Sequence, residues 1–221
     1  MFALLFCLQF SINSNIIRPN IREVSNGDEY PKHEPIRETT INIEVSHCLF
    51  DKIDYLEGNG GAILITTKKK VNCSVHDCKF NECKSKFGGA IYASYSEELN
   101  FDFSVTNSIF TSCECQKNGG AIYIQSAQPL YHTFNISGCT FNNNKATSGG
   151  ALYAELRDQL TLENCKFNNN EAKNKGSSAY LKLGHENIKN TVEEHDTFNI
   201  HNNVFTFNPN SNNTVNVYVE N

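Results

Sequence analysis

A repeat of about 30 residues, which begins near Ile41, constrains this sequence more than any other feature. Six phenylalanines mark the units at intervals of 30, 30, 31, 26 and 38 residues: Phe50, Phe80, Phe110, Phe141, Phe167 and Phe205. The residues seven and five positions before each phenylalanine are apolar throughout, as with Ile43 and Val45. Apolar residues at alternate positions predict a short strand with one buried face. We therefore expect a stack of similar units.

Each unit also places turn-forming residues at fixed positions. Three residues before the phenylalanine stands a type that tolerates a left-handed backbone: His47, Asp77, Asn107, Gly138, Asn164 and Asn202. A glycine pair comes eight to ten residues after the phenylalanine, and the intact pairs are Gly60 and Gly61, Gly88 and Gly89, Gly119 and Gly120, and Gly149 and Gly150. We align a degraded fifth copy at Ser177-Ser178-Ala179-Tyr180. A bend, a glycine turn and a second strand are therefore predicted in each unit.

These elements predict an all-β fold, a parallel β-helix of about six coils over residues 41–221. No segment keeps a helical period, and the unit is too short for a four-stranded propeller blade. Stacked coils place equivalent side chains above one another, so asparagines are expected to form amide ladders. The chain contains 31 asparagines among its 221 residues, and such ladders give that abundance a physical reason.

Two short motifs carry a resemblance to a known family. The tetrapeptides Gly-Gly-Ala-Ile and Gly-Gly-Ala-Leu, in phase with Phe-x-x-Asn, resemble the repeat of the polymorphic outer membrane proteins (Pmp) of chlamydiae. Similar repeats occur in surface proteins of trichomonad protists, and the resemblance covers about residues 41–218. It implies a right-handed β-helix that is exposed at the cell surface and associated with adhesion.

The N-terminal region differs in composition from the repeats. Residues 2–10 are nearly all apolar but too few to span a bilayer, so residues 1–14 are interpreted as a signal peptide; a buried strand or helix is the alternative. Residues 15–40 are charged and contain three prolines, which predicts a linker or an irregular N-terminal cap. A secreted or cell-surface location follows. It makes the sequons at Asn72, Asn135 and Asn212 candidates for glycosylation.

The nine cysteines allow two interpretations. Equivalent cysteines in neighbouring units would stack at disulfide distance, and these pairs are Cys48 with Cys78, Cys83 with Cys113, and Cys139 with Cys165. In-register strands, however, point both Cβ atoms the same way, so we favour mostly buried free thiols. Cys113 and Cys115 lack a partner motif at zinc-finger spacing, and we predict neither a metal nor a cofactor.

The sequence favours a non-catalytic function. Enzymes on β-helices act mostly on acidic polysaccharides and need converging carboxylates, but no acidic position recurs in the units. The net charge of −5 argues against a nucleic-acid binder. We therefore expect adhesion, or contact with a host-cell or extracellular protein or glycan. The alternatives are a carbohydrate-active β-helix enzyme of the lyase or hydrolase type, or its degenerate relative, and a fragment of a larger surface protein.

Three features are candidates for contact with partners. The lengthened fifth unit holds two histidines and four acids, which form either a solvated loop or a ligand site: His185, Glu186, Glu193, Glu194, His195 and Asp196. The second strand has two apolar faces, so one face is either covered by loops or exposed as a stripe that includes Tyr92, Tyr123, Tyr153 and Tyr218. An open end of the stack would invite self-association.

Overall fold

The computed structural model describes residues 4–13, 23–25, 41–67, 71–95, 101–126, 132–157, 159–183, 198–206 and 216–220. Over these ranges the regular secondary structure consists of strands alone, which confirms the predicted all-β class. Within these ranges no helix has the length and the hydropathy needed to cross a membrane.

The N-terminal part of the structure contains five strands. They are β1 (Leu4–Asn13), β2 (Glu23–Ser25), β3 (Ile41–Asp51), β4 (Asp54–Tyr55) and β5 (Ile63–Thr67). Strands β3 to β5 form the first coil. Strand β1 pairs with β3 antiparallel. When the apolar N-terminal segment is retained, it therefore lies along the first coil. Its removal as a signal peptide stays a prediction. The interval 15–40, predicted as a linker or cap, lies outside the described residues except for β2.

Four complete coils follow, each with four strands. The second coil has β6 (Val71–His76), β7 (Lys79–Asn81), β8 (Lys84–Ser85) and β9 (Ile91–Tyr95). The third has β10 (Phe101–Thr106), β11 (Ile109–Thr111), β12 (Glu114–Cys115) and β13 (Ile122–Ser126). The fourth has β14 (Thr133–Ser137), β15 (Thr140–Asn142), β16 (Lys145–Ala146) and β17 (Leu152–Leu156). The fifth has β18 (Gln159–Glu163), β19 (Lys166–Asn168), β20 (Glu171–Ala172) and β21 (Ala179–Leu183).

The last described coil is partial, with β22 (Phe198–His201), β23 (Val204–Thr206) and β24 (Val217–Glu220). The expected coil number therefore needs a small correction. About four turns are complete; they are flanked by a first coil, in which β3 fuses two strands, and by this sixth coil, which has no short third strand among its described residues. The fold itself, a parallel β-helix, is as predicted.

Equivalent strands of successive coils pair in parallel and in register. The first and second strands of each coil belong to one sheet, joined through the long strand β3, and the short third strands form a sheet of five. The fourth strands form a sheet of seven together with β2, which pairs with β5. Each marker phenylalanine lies directly above the next. Five successive ring pairs are stacked at centroid distances of 4.7, 4.6, 5.0, 4.7 and 4.9 Å. This stack, together with the alternate apolar residues of the first strand, fills the core.

The bends predicted before the phenylalanines are present in all six coils. His47, Asp77, Asn107, Gly138, Asn164 and Asn202 all have φ between 48° and 64°. A second left-handed bend, which the sequence analysis missed, follows two residues after the phenylalanine at Lys52, Glu82, Ser112, Asn143 and Asn169. Three of these five are Lys, Glu and Ser. Their side chains do not favour this conformation, so the stacking of the coils imposes it.

The two glycines of each pair have different roles. The first adopts a positive φ, as in Gly119 at 72°. The second lies against the backbone of the next coil, because a Cβ on Gly120 would stand 2.0 Å from the carbonyl oxygen of Gly150. The alignment of the fifth copy was wrong by one residue. Ala179 pairs with Leu152, so this copy reads Gly176-Ser177-Ser178-Ala179, and Gly176 supplies the positive φ of 64°.

Candidate functional site

The outward face of the first strands forms an open polar groove of about 560 Å³ across coils one to four. Two neighbouring rows of outward side chains build it, because register pairing stacks equivalent residues of successive coils. The polar lining consists of Asn42, Glu44, Asn72, Ser74, His76, Asp102, Ser104, Thr133 and Asn135. We call this feature the polar groove.

Side chains of the polar groove contact each other from coil to coil. Asn72 donates from Nδ2 to Asn42 Oδ1 at 3.0 Å, and Thr133 donates to the carboxylate of Asp102. The amide oxygens of Asn72 and Asn135, by contrast, are shielded from solvent and have no hydrogen-bond partner in the described part of the chain. Both residues are predicted glycosylation sites, and a glycan on either would occupy the groove. The third sequon, at Asn212, lies outside the described residues.

His76 stands at one side of the polar groove, between two carboxylates. Its Nδ1 lies 2.8 Å from Asp77 Oδ2, and its Nε2 lies 3.1 Å from Glu44 Oε1. Hydrogen bonds to Asp77 first, and then to Glu44, raise the pKa of His76 above its ordinary value. The ring of His47 meets the ring of His76 edge-on, with centroids 5.8 Å apart and planes at 82°.

A second ladder, formed by tyrosines, lies on the outer face of the fourth strands. Tyr92, Tyr123, Tyr153, Tyr180 and Tyr218 stack in sequence at 5.0, 5.1, 4.8 and 5.3 Å. The inward face carries Ile, Leu and Ala and belongs to the core. The three middle tyrosines are buried, so the possibility of an exposed apolar stripe was wrong for them. Tyr180 was missing from the predicted set because of the misaligned fifth copy.

The cysteines follow the thiol interpretation. Seven are free and buried: Cys73, Cys78, Cys83, Cys113, Cys115, Cys139 and Cys165. Cys48 is the exception among the described side chains, since it is disulfide-bonded, and the antiparallel register places Cys7 of β1 directly across from it. Several thiols donate to carbonyls of the preceding coil, as Cys113 Sγ does to Phe80 O at 3.7 Å. Burial raises the pKa of Cys73 and of Cys115 to about 12.

The predicted ligand loop lies outside the described residues. This applies to His185, Glu186, Glu193, Glu194, His195 and Asp196 alike. The groove residues were not singled out from the sequence, with the exception of the two sequon asparagines. One signal could have revealed the cluster around His76: His47 and Asp77 occupy the same repeat position in adjacent coils, and His76 precedes Asp77.

The described coils define the class of this protein. It is a parallel β-helix repeat protein, whose coils present stacked rows of equivalent side chains. The model of the Chlamydia polymorphic membrane protein repeat matches residues 138–155. This segment runs from the bend at Gly138 through Phe141 to β17, so the predicted resemblance is confirmed there. No curated protein and no solved structure matches the chain.

Proposed function

We propose that this protein is a non-catalytic interaction module, secreted or displayed at a cell surface, that adheres to an extracellular partner through the polar groove. This function requires that Asn72 and Asn135 carry no glycan, since a glycan on either would occupy the groove. One observation carries the proposal: the amide oxygens of Asn72 and Asn135 are shielded in the groove without a donor among the described residues. A buried acceptor without a partner costs about 1–3 kcal/mol. A ligand hydroxyl or N–H that reaches these oxygens, once the asparagine side chains rotate, removes this cost when it binds.

The chemistry of the groove favours a glycan over a protein as the partner. Its outward side chains are amides, hydroxyls, carboxylates and one imidazole, all of which hydrogen-bond to sugar hydroxyls. The volume of about 560 Å³ falls within the usual range for ligand sites. A polar side chain recurs in each row once per coil, which suits a ligand that is itself a repeating chain.

Two findings support a surface location. The family model that matches residues 138–155 describes a repeat of a membrane protein. The apolar residues near the N-terminus have the length of a signal peptide core. The intact mass of the protein recovered outside its source cells tests this location directly. A chain that lacks about 14 N-terminal residues supports secretion, and a chain found only inside the cells with Met1 retained contradicts it.

A groove-filling substitution tests the binding function. Ser104 lies within the polar groove, and its hydroxyl is 3.5 Å from that of Ser74. We expect Ser104→Arg to abolish binding on a glycan array. Thr161→Arg is the matched control, because Thr161 pairs with Asn135 in the same row but lies outside the groove lining. Equal loss of binding in both variants, or retained binding in Ser104→Arg, contradicts the proposal.

The carbohydrate-active enzyme is kept as a second candidate because of one arrangement. His76, held by Glu44 and Asp77 beside the groove, places potential proton donors and acceptors next to a bound ligand. This enzyme would release new reducing ends or unsaturated products from acidic polysaccharides. Abolition of that release by Glu44→Gln would favour it. Binding without turnover favours the interaction module.

Self-association through the end of the stack is a further proposal about partners. Strands β22, β23 and β24 are outermost among the described strands, and Val204 and Val219 are exposed there. Unpaired strand edges favour pairing with another chain. Light scattering that detects only monomer at high micromolar concentration contradicts this proposal.

A further inference from the structure

We propose that His47, His76 and Asp77 form a binding site for a divalent transition-metal ion, with Zn²⁺ as the best fit. The site lies where the first and second coils meet, at the first bend of each coil. One nitrogen from each histidine and one carboxylate oxygen of Asp77 lie within 4.8 Å of one another. Ligands bound to one tetrahedral zinc ion stand roughly 3.3 Å apart, so small side-chain rotations complete the geometry.

The backbone holds the first and third ligands in place before any ion binds. His47 and Asp77 occupy the same position in adjacent coils, and both have a left-handed backbone with φ of 54° and 53°. The parallel register pairs Ser46 with His76, one residue before this bend. Both bends are therefore fixed by the pairing of β3 with β6, which lowers the entropic cost of assembling the ligands.

Glu44 orients the second histidine toward the ion. Its Oε1 lies 3.1 Å from His76 Nε2, which leaves Nδ1 as the nitrogen on the side of Asp77. His76 Nδ1 and Asp77 Oδ2 share a hydrogen bond of 2.8 Å, which a bound ion replaces as the two atoms move to about 3.3 Å apart. A carboxylate on the far nitrogen of a metal-bound histidine fixes the ring and raises its affinity for the metal. Glu44 is thus a positioning residue of the site.

The donor set determines the kind of ion. Two imidazoles and one carboxylate suit Zn²⁺ and neighbouring transition metals, whereas Ca²⁺ and Mg²⁺ prefer oxygen ligands alone. Three protein ligands leave a fourth position for water or for a donor from a partner. Glu44 and His76 also line the polar groove, so the ion would lie at the groove's edge.

Zinc titration of the full chain, purified without a histidine tag and treated with a chelator, tests the proposal. Isothermal titration calorimetry is expected to show one saturable site that His47→Asn and Asp77→Asn each weaken at least about tenfold. Asparagine is used at His47 because this bend has a φ of 54° and carries asparagine in three other coils. Glu44→Gln is expected to weaken binding about 10–100-fold, as second-sphere changes do. The substituted residues His47, Asp77 and Glu44 are at least partly exposed. We therefore expect each variant to melt at the same temperature as the parent chain without metal, which shows that the site is lost and the fold is not.

His201→Ala is the matched control. His201 Nε2 lies 3.3 Å from Glu163, so it is also a histidine beside a carboxylate, but the bends of its two coils carry Asn164 and Asn202. We expect zinc affinity to be unchanged in this variant. A second control, His185→Ala with His195→Ala, removes the histidines of the predicted loop. Loss of zinc binding in either control with retention in His47→Asn overturns the proposal, as does the absence of saturable binding. Ser104→Arg should keep zinc, which separates this site from the proposed binding function.

Discussion

Asn144 donates from its side-chain amide to that of Asn170 at 3.0 Å, and both side chains are buried inside the solenoid. The same Asn144 amide also contacts Phe110 O at 3.1 Å, and its oxygen accepts from Cys113 N at 2.9 Å. Cys113, Asn144 and Asn170 occupy the same repeat position, three residues after the marker phenylalanine. The ladder therefore satisfies backbone groups that the second bend removes from the sheet.

Removal of one rung of this ladder should destabilise the fold. Asn144→Ala leaves the N–H of Cys113 and the carbonyl of Phe110 without partners in the interior, and we expect a loss of about 1–3 kcal/mol. Asn144→Cys should recover part of that loss, because Cys113 at the same repeat position donates to Phe80 O. Urea denaturation monitored by circular dichroism measures both changes.

Asn142→Ala provides the control for this prediction. Asn142 accepts from Asn168 Nδ2 at 2.9 Å, but both side chains are partly exposed on the outside of the coil. Water replaces a lost partner there, so a change below about 1 kcal/mol is expected. Equal destabilisation by the two alanine variants would show that burial of the ladder is not the cause.

Gly120, the second glycine of the third pair, should tolerate no side chain. In Gly120→Ala the new Cβ would meet Gly150 O at 2.0 Å and Lys145 N at 2.8 Å, and both are backbone atoms. Neighbouring coils must then separate, at a cost of about 1–3 kcal/mol or more. Thermal unfolding of the purified variant measures the loss.

Gly138→Asn is the complementary substitution. Gly138 has a φ of 64°, but this bend carries asparagine in three other coils, and the nearest atom to a new Cβ is Asn107 Oδ1 of a movable side chain. We expect little change in stability. A Gly138→Asn variant as unstable as Gly120→Ala would contradict the distinction between a left-handed bend and a close backbone approach.

The buried thiols should react slowly in the folded protein. Burial raises the pKa of Cys73 and Cys115 to about 12, against 9.0 for a free thiol. A rise of this size lowers the thiolate fraction at pH 8 about a thousandfold. Reaction with a chromogenic disulfide reagent, followed by peptide mass mapping, compares the native and the urea-unfolded chain. Native rates close to the unfolded rates at these two cysteines would contradict their burial.

Alkaline pH should weaken the fold through the tyrosine ladder. Burial first, and then the carboxylate of Glu220, raises the pKa of Tyr180 to about 12 from 10.0. The folded state therefore retains the phenolic proton more strongly than the unfolded state. Its stability is fully present below pH 10 and falls as the pH rises toward 12.

Urea midpoints measured from pH 8 to pH 11, together with tyrosinate absorbance, test this dependence. Tyr180→Phe removes the titrating hydroxyl but keeps the ring between Tyr153 and Tyr218, so its midpoint should fall less steeply above pH 10. Identical slopes for the parent chain and the variant would exclude Tyr180 as a source of the effect.

Much of the fold follows from local sequence pattern, and particular residues show which features the pattern does not predict. The alternation at Ile43 and Val45 correctly placed a buried strand face, since side-chain direction in a strand depends only on position. The bend at Lys52 was not foreseen, because lysine has no preference for a positive φ. The Phe-x-x-Asn motif was recognised, yet the sequence did not show that Asn144 and Cys113 have the same task of binding backbone carbonyls.

The candidate sites were less accessible from sequence than the fold. Asn72 and Asn135 were identified only as sequons, and nothing in the sequence indicated that their oxygens line one groove. His47 and Asp77 were recognised as bend residues of adjacent units, but they were not considered together with His76, which precedes Asp77. The loop that holds His195 was selected as a candidate because it interrupts the repeat. The interruption itself does not indicate whether the loop binds a ligand.

By itself the sequence determined the repeat, the buried face of the first strand, the first bend and the glycine turn. Each of these rests on backbone preferences and on alternation within a few residues. Tertiary structure alone decided which face of the fourth strand carries Tyr153 outward, which cysteines remain thiols and which polar side chains meet at the groove. These properties depend on contacts between coils. The repeat predicts that residues about 30 positions apart lie above one another, but the orientation and bonding of their side chains depend on the packed coils.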